Sequence, residues 1–126
     1  MEQQEKTILV VDDTEANIDI LVEILAEDYD VSVAMDGESA LETAEEILPD
    51  LILLDIMMPD MDGYEVCRRL KADERTKKIP VVFVTAKDEV DDRTDGYEIG
   101  GSDYITKPVD PARVLETAQR LLSTDA

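Results

Sequence analysis

At 126 residues the chain has the length of a single domain, and its 44% apolar residues, few of them aromatic, predict an aliphatic core. Twelve basic residues against 32 acidic ones leave a net charge of −20, which argues against direct nucleic-acid binding because such binding depends on Lys and Arg at phosphates. No apolar run reaches the roughly 20 residues of a membrane span, the first residues lack the order of a signal peptide, and the single Cys67 cannot form an internal disulfide. We therefore expect a cytoplasmic protein without a membrane segment, folded as one domain over residues 1–126 with its core at 6–122.

Strand-like and helix-like segments alternate five times along the chain. The first half predicts strands at 6–11, 31–34 and 51–54, and helices over 15–28 and 38–48. The helices are recognised by apolar residues at i, i+3, i+4 and i+7, as at Ile18, Leu21, Val22 and Leu25, while the all-apolar run 51–54 is typical of a strand covered on both faces.

The second half continues the alternation. A third helix is predicted around Val66, Cys67 and Leu70, followed by a strand at 81–84, a weaker helix over 90–99, a strand at 104–106 and a last helix. Asp110 and Pro111 are typical of the N-cap and first turn of that last helix. Five such units predict an α/β fold, a (βα)5 doubly wound parallel sheet with helices on both faces.

Polar side chains follow four of the predicted strands. Asp12 and Asp13 follow the first strand, Asp55 the third, Thr85 the fourth and Lys107 the fifth. In parallel sheets ligands bind beyond the carboxyl ends of the strands, so we expect these five side chains to share one cleft.

The acidic pair after the first strand decides between ligands. Folds that bind a nucleotide or flavin place Gly, Ser or Thr there to hold phosphate, whereas Asp12 and Asp13 would repel it. Three clustered carboxylates also repel each other unless a cation lies among them. Oxygen ligands favour Mg2+, with Mn2+ as the alternative.

Asp55 is the candidate nucleophile of this cleft. An aspartate can attack phosphorus to form an acyl phosphate, and a metal then offsets the developing charge. Lys107 and the Thr85 hydroxyl are suited to bind the phosphoryl oxygens. Each residue alone also has an ordinary structural interpretation, as a helix cap, a turn or a strand end, but their occurrence at the ends of four strands favours a functional site.

Four motifs in this order and spacing resemble the receiver domain of two-component response regulators, over about residues 6–122. They are Val10-Val11-Asp12-Asp13, Asp55-Ile56-Met57-Met58-Pro59-Asp60-Met61-Asp62-Gly63, Val84-Thr85-Ala86 and Asp103-Tyr104-Ile105-Thr106-Lys107-Pro108. The resemblance implies a flavodoxin-like sheet with strand order 2-1-3-4-5, the order that doubly wound folds of this type share.

The resemblance also implies roles for the cleft. Asp55 would take a phosphoryl group from a phosphohistidine on a sensor histidine kinase or a histidine phosphotransfer protein. Asp13, Asp55 and the Met57 backbone carbonyl would ligate Mg2+, Asp12 would act mainly through a metal-bound water, and Lys107 would bind the phosphoryl group.

Signal output is implied in the same way. Thr85 and Tyr104 would form the switch, and residues 90–122 would form the face that controls an effector domain or protein and that any homodimer would use. The Lys107–Pro108 bond is expected to be cis. The domain would assist its own phosphorylation and dephosphorylation without turning over an independent substrate, and Met57 has no polar group to orient an attacking water, which predicts slow self-hydrolysis.

Other functions compete with this one. A metal-dependent phosphohydrolase would carry a cap domain and an acid/base Asp where Met57 stands, and a flavin-binding protein is disfavoured by the acidic first loop. A phosphate-independent interaction module of the same fold is the main alternative. The sequence names no output, although 58–70 and 109–122 are more similar to receivers that precede nucleotide-cyclase, phosphodiesterase or kinase modules than to those of DNA-binding regulators.

Overall fold

The structure, a computed structural model, describes residues 6–86 and 101–122. In chain order its elements are β1 Thr7–Val11, α1 Glu15–Leu25, β2 Asp30–Ala34, α2 Gly37–Ile47, β3 Leu51–Asp55, α3 Gly63–Ala72, β4 Val81–Ala86, β5 Asp103–Lys107 and α4 Pro111–Leu122. The helix predicted over 90–99 lies outside the described residues.

The strands form one sheet in the order β2-β1-β3-β4-β5, and every neighbouring pair is parallel. This confirms the predicted strand order and doubly wound class. The central strands are in register through Val10 and Leu53, and β3 continues the register through Asp55 and Val84. Because all five strands run the same way, their carboxyl ends meet at one edge of the sheet.

Two apolar layers cover the sheet. Alternate side chains of a strand point to opposite faces, so Leu9 and Val11 enter the layer beneath α2 and α3, while Ile8 and Val10 enter the layer beneath α1 and α4. The central strands are therefore buried on both sides, which explains why their sequence is apolar at every position rather than alternating.

Helix ends differ from the predictions by a few residues. The helix predicted over 38–48 includes Leu48, but α2 ends at Ile47 and Leu48 adopts a left-handed conformation, with φ 47° and half of its surface exposed. α1 ends at Leu25 rather than at residue 28. Periodicity does not report the point at which a helix terminates, and Asp28 is a poor helix former that favours an early end.

Aspartates begin several helices. The Asp36 and Asp62 carboxylates accept hydrogen bonds from the backbone N–H groups of Ser39 and Glu65, at 2.8 and 2.9 Å. Asp110 accepts from Ala112 at 3.2 Å just before α4, as predicted for its N-terminus. Part of the large acidic excess is thus explained by capping. No helix within 6–86 or 101–122 is long and apolar enough to cross a membrane.

Candidate functional site

Three carboxylates meet at the carboxyl edge of the sheet. Asp12 and Asp13 directly follow β1, and Asp55 is the last residue of β3. Each offers an oxygen atom that lies within 4.8 Å of the others. Asp12 and Asp55 are only 1% and 4% exposed, whereas Asp13 is exposed at the rim.

Lys107, the last residue of β5, enters the same cleft. Its Nζ lies 3.0 Å from Asp12 Oδ2 and 3.5 Å from Asp55 Oδ1, so one ammonium bridges the two buried carboxylates. Three carboxylates and one ammonium leave a formal charge of about −2, which matches a divalent cation. The oxygen-only donor set fits Mg2+ or Mn2+.

The environment of Asp55 resists ionisation. Burial raises the pKa of Asp55 to about 6, and the negative charges of Asp12 and, more weakly, Asp13 add to the effect. The Lys107 ammonium and the Met57 backbone N–H, 3.4 Å from Asp55 Oδ1, act in the opposite direction without cancelling it. A carboxylate whose pKa is raised in this way is stabilised by a nearby cation. It also loses its unfavourable charge when one of its oxygens forms a covalent bond, as in an ester.

Asp12 is oriented by the start of α1. Its Oδ1 accepts a hydrogen bond from Thr14 N at 2.9 Å and faces Asn17 Nδ2 at 3.5 Å, while its Oδ2 is bound by Lys107. Asn17 is a contact that the sequence analysis missed. Its signal was its place one turn into the helix that follows the acidic pair.

The turn after Asp55 is held against the end of β3. Gly63 N donates to the Ile56 carbonyl at 2.8 Å, and a Cβ at Gly63 would lie 2.3 Å from the Asp55 carbonyl oxygen. Only glycine permits this approach, which brings the start of α3 close to the backbone that carries Asp55. Met57, in the turn between them, is 58% exposed beside the cleft.

Thr85 lies on β4, the strand next to the one that carries Asp55. It follows Val84, the register partner of Asp55, and is fully buried. Within the described part of the chain its Oγ1 has no hydrogen-bond partner. A buried hydroxyl without a partner is costly, so a new hydrogen bond at this atom would stabilise the fold.

Tyr104 lies on the same sheet face as Phe83, its register partner on β4. Its ring is turned inward, 4% exposed, and its hydroxyl lies 3.0 Å from that of Tyr64, another residue that the sequence analysis did not select. The Lys107–Pro108 bond is cis, as predicted.

Comparison with known proteins decides the family. The family model of the response regulator receiver domain matches residues 8–119. The chain is a response regulator receiver domain. The four-motif resemblance is thus confirmed, and with it a place in two-component signalling as a switch domain. Receiver domains interact with histidine kinases and effector domains and bind Mg2+ at an acidic cluster such as this one.

The relatives that match this chain are longer proteins than the chain itself. Over 115 residues, 90% of this chain and 25% of the relative, the receiver is 53% identical to the response regulator PleD of Caulobacter vibrioides. Over 116 residues, 91% of this chain and 48% of the relative, it is 41% identical to the DNA-binding dual master transcriptional regulator RpaA of Synechocystis. The chain thus spans a quarter to a half of these relatives, and a DNA-binding regulator is among them.

The chain is also similar to a solved receiver structure that contains magnesium. The receiver domain of the Pseudomonas aeruginosa sensor histidine kinase PA1611 matches with a TM-score of 0.87 and 30% identity, over 96% of this chain and all of that one. That structure has a magnesium ion coordinated in its active-site cleft.

Proposed function

We propose that Asp55 is the phosphoacceptor of this receiver and takes its phosphoryl group from a phosphohistidine on a sensor histidine kinase or a histidine phosphotransfer protein. The observation that carries the proposal is the arrangement at the sheet edge, where the buried Asp55 carboxylate lies 3.5 Å from the Lys107 ammonium. On the next strand, the buried Thr85 hydroxyl has no hydrogen-bond partner among the described residues. Together these groups supply a nucleophile and two groups that bind phosphoryl oxygens.

Mg2+ or Mn2+ is the proposed cofactor. Asp13, Asp55 and the Met57 backbone carbonyl would be its direct protein ligands, and Asp12, already held by Lys107 and the start of α1, would act through a bound water. Bound there, a divalent cation supplies the positive charge that lets the anionic donor approach three carboxylates.

The transfer requires no other reactant. An Asp55 Oδ attacks phosphorus, the phosphorus–nitrogen bond to the donor histidine breaks, and the ring, which carries a proton on its other nitrogen, leaves as neutral imidazole with the bonding electron pair. The carboxylate charge disappears and a phosphoryl group of about −2 arrives, so the site becomes more negative by about one charge. Lys107 Nζ and Thr85 Oγ1 would bind the new oxygens.

Output is proposed to follow from Thr85 and Tyr104. Drawing the Thr85 hydroxyl toward the phosphoryl group changes the space beside the Tyr104 ring, because both lie on one face of neighbouring strands. The proposed output face is 90–122, of which the structure describes 101–122. There Asp103 forms ion pairs with Arg113, at 3.3 Å, and with Arg120, joining β5 to α4.

The proposed effector is a protein or protein domain that binds residues 90–122. A separate protein, an attached effector domain or a second copy bound through 90–122 would each respond to the same face. The domain's net charge of −20 supports a protein partner rather than direct contact with nucleic acid by this domain.

The test is intact mass after incubation with Mg2+ and acetyl phosphate or phosphoramidate. Wild type is expected to gain one phosphoryl group, and a chelator-treated sample and Asp55→Asn none. Asp60→Asn is a matched control, because this exposed aspartate lies in the turn that follows Asp55. Its backbone φ of 71° is a conformation that Asn tolerates. If wild type gains nothing and also binds no beryllofluoride, the phosphate-independent interaction module becomes the better explanation.

A further inference from the structure

Three aromatic rings connect α3 with β5 through the core. The Tyr64 ring meets Phe83 edge-on, with centroids 5.1 Å apart and an angle of 72°. Phe83, fully buried on β4, meets Tyr104 at 5.2 Å and 41°. Such contacts favour particular ring orientations, so each ring restricts the next.

The two outer rings also meet directly through their hydroxyl groups. Tyr64 Oη and Tyr104 Oη lie 3.0 Å apart, a hydrogen bond in which either can donate. Tyr104 belongs to β5, the edge strand of the described sheet, so rotation of its side chain would carry the hydroxyl away from the core. The bond to Tyr64 can form only while the Tyr104 ring points inward, so it stabilises that orientation.

Tyr64 is itself anchored close to Asp55. It is the second residue of α3, directly after Gly63, whose N–H donates to the Ile56 carbonyl. A Cβ added at Gly63 would lie 2.3 Å from the Asp55 carbonyl oxygen, so the two backbone segments are close together. A shift of the Asp55 backbone would therefore move Tyr64, and through it the hydroxyl contact with Tyr104. This path is separate from the one through Thr85.

We propose that Tyr64 is a positioning residue that holds the Tyr104 ring inward before any phosphoryl group arrives. Its influence on signalling rests on the proposed function of Asp55 and Tyr104, but its effect on the ring does not. Removing the Tyr64 hydroxyl is expected to shift the inward-to-outward ratio of Tyr104 by a factor of roughly 2 to 10, the usual net effect of one neutral hydrogen bond. The Tyr104 ring of the unphosphorylated domain therefore already favours the inward orientation.

The experiment is Tyr64→Phe, which keeps the ring and its contact with Phe83. Without metal or phosphodonor, NMR cross-peaks between the Tyr104 and Phe83 rings are expected to weaken in this variant. Tyr29→Phe is the matched control, because Tyr29 is a half-buried tyrosine that packs on the opposite face of the sheet. It should leave the cross-peaks unchanged.

A double-mutant cycle with Tyr104→Phe separates the direct contact from other effects of either hydroxyl. The unfolding equilibrium is expected to show coupling of roughly 2- to 10-fold between the two substitutions. Unchanged cross-peaks in Tyr64→Phe together with no coupling would overturn the proposal. Neither measurement involves phosphorylation, so a wild type that takes no phosphoryl group would refute the role of Asp55 and leave the Tyr64 result to stand by itself.

Discussion

Replacing Asp55 by Asn should stabilise the metal-free domain at neutral pH. The substitution keeps the shape of the side chain and removes a charge that the fold holds at a cost. Burial and the neighbouring Asp12 carboxylate raise the pKa of Asp55 from 3.8 to about 6. At about 1.4 kcal/mol per pKa unit, ionised Asp55 costs the folded state about 3 kcal/mol at pH 7.5. Since an amide does not bind Lys107 as a carboxylate does, we expect a net gain of about 1–3 kcal/mol.

The sign of the pH dependence follows from the same pKa. Between about pH 3.8 and 6 folded wild type holds a proton on Asp55 that the unfolded chain has lost. The contribution of Asp55 to stability is therefore present at low pH and lost as the pH rises through about 6. The advantage of Asp55→Asn should be largest above pH 7 and should shrink toward pH 4.

Urea unfolding followed by circular dichroism, in chelator at pH 7.5, 6.0 and 4.5, measures this difference. Asp19→Asn removes an exposed carboxylate from the middle of α1 and serves as the control for net charge. Saturating Mg2+ should restore much of the stability of wild type and little of that of Asp55→Asn. Equal stability of wild type and Asp55→Asn at pH 7.5, or a gap that does not vary with pH, would refute the electrostatic account of this site.

Three further predictions concern the metal, the turn and the phosphoryl group. Mg2+ affinity measured by calorimetry should fall up to about tenfold per pH unit below about pH 6, because Asp55 must first lose a proton; a flat profile would count against Asp55 as a ligand. Gly63→Ala should lower the free energy of unfolding by about 1–3 kcal/mol, because its Cβ would meet the Asp55 carbonyl oxygen 2.3 Å away. Gly37→Ala should cost less, because the three atoms nearest its Cβ, at 2.8 to 3.1 Å, belong to the Met61 side chain and not to the backbone; equal urea midpoints of the two variants would contradict this. Met57→Asn should shorten the half-life of the phosphorylated domain by offering a polar group to water; an unchanged half-life by intact mass would exclude that role for Met57.

The parallel sheet could be predicted from local sequence patterns wherever a segment was uniformly apolar. The apolar runs at 51–54 and 81–84 identified buried parallel strands, and the alternation with helices predicted the sheet class. Helix ends were less predictable, as Leu48 shows, because apolar spacing continues past the residue at which the backbone turns left-handed. The contact of Tyr64 with Tyr104 joins residues 40 positions apart, and no periodicity in the sequence reports it.

The sequence by itself determined which chemical groups stand at the strand ends, and parallel strands then required Asp12, Asp55 and Lys107 to share one edge. Only the tertiary structure decided how those groups interact. Lys107 lies nearer Asp12 than Asp55, Thr85 is left without a hydrogen-bond partner in the described regions, and Asp55 is buried deeply enough to hold its proton near pH 6. The reason is physical, since distance and desolvation arise between segments far apart in the chain and exist only once the core has closed over them.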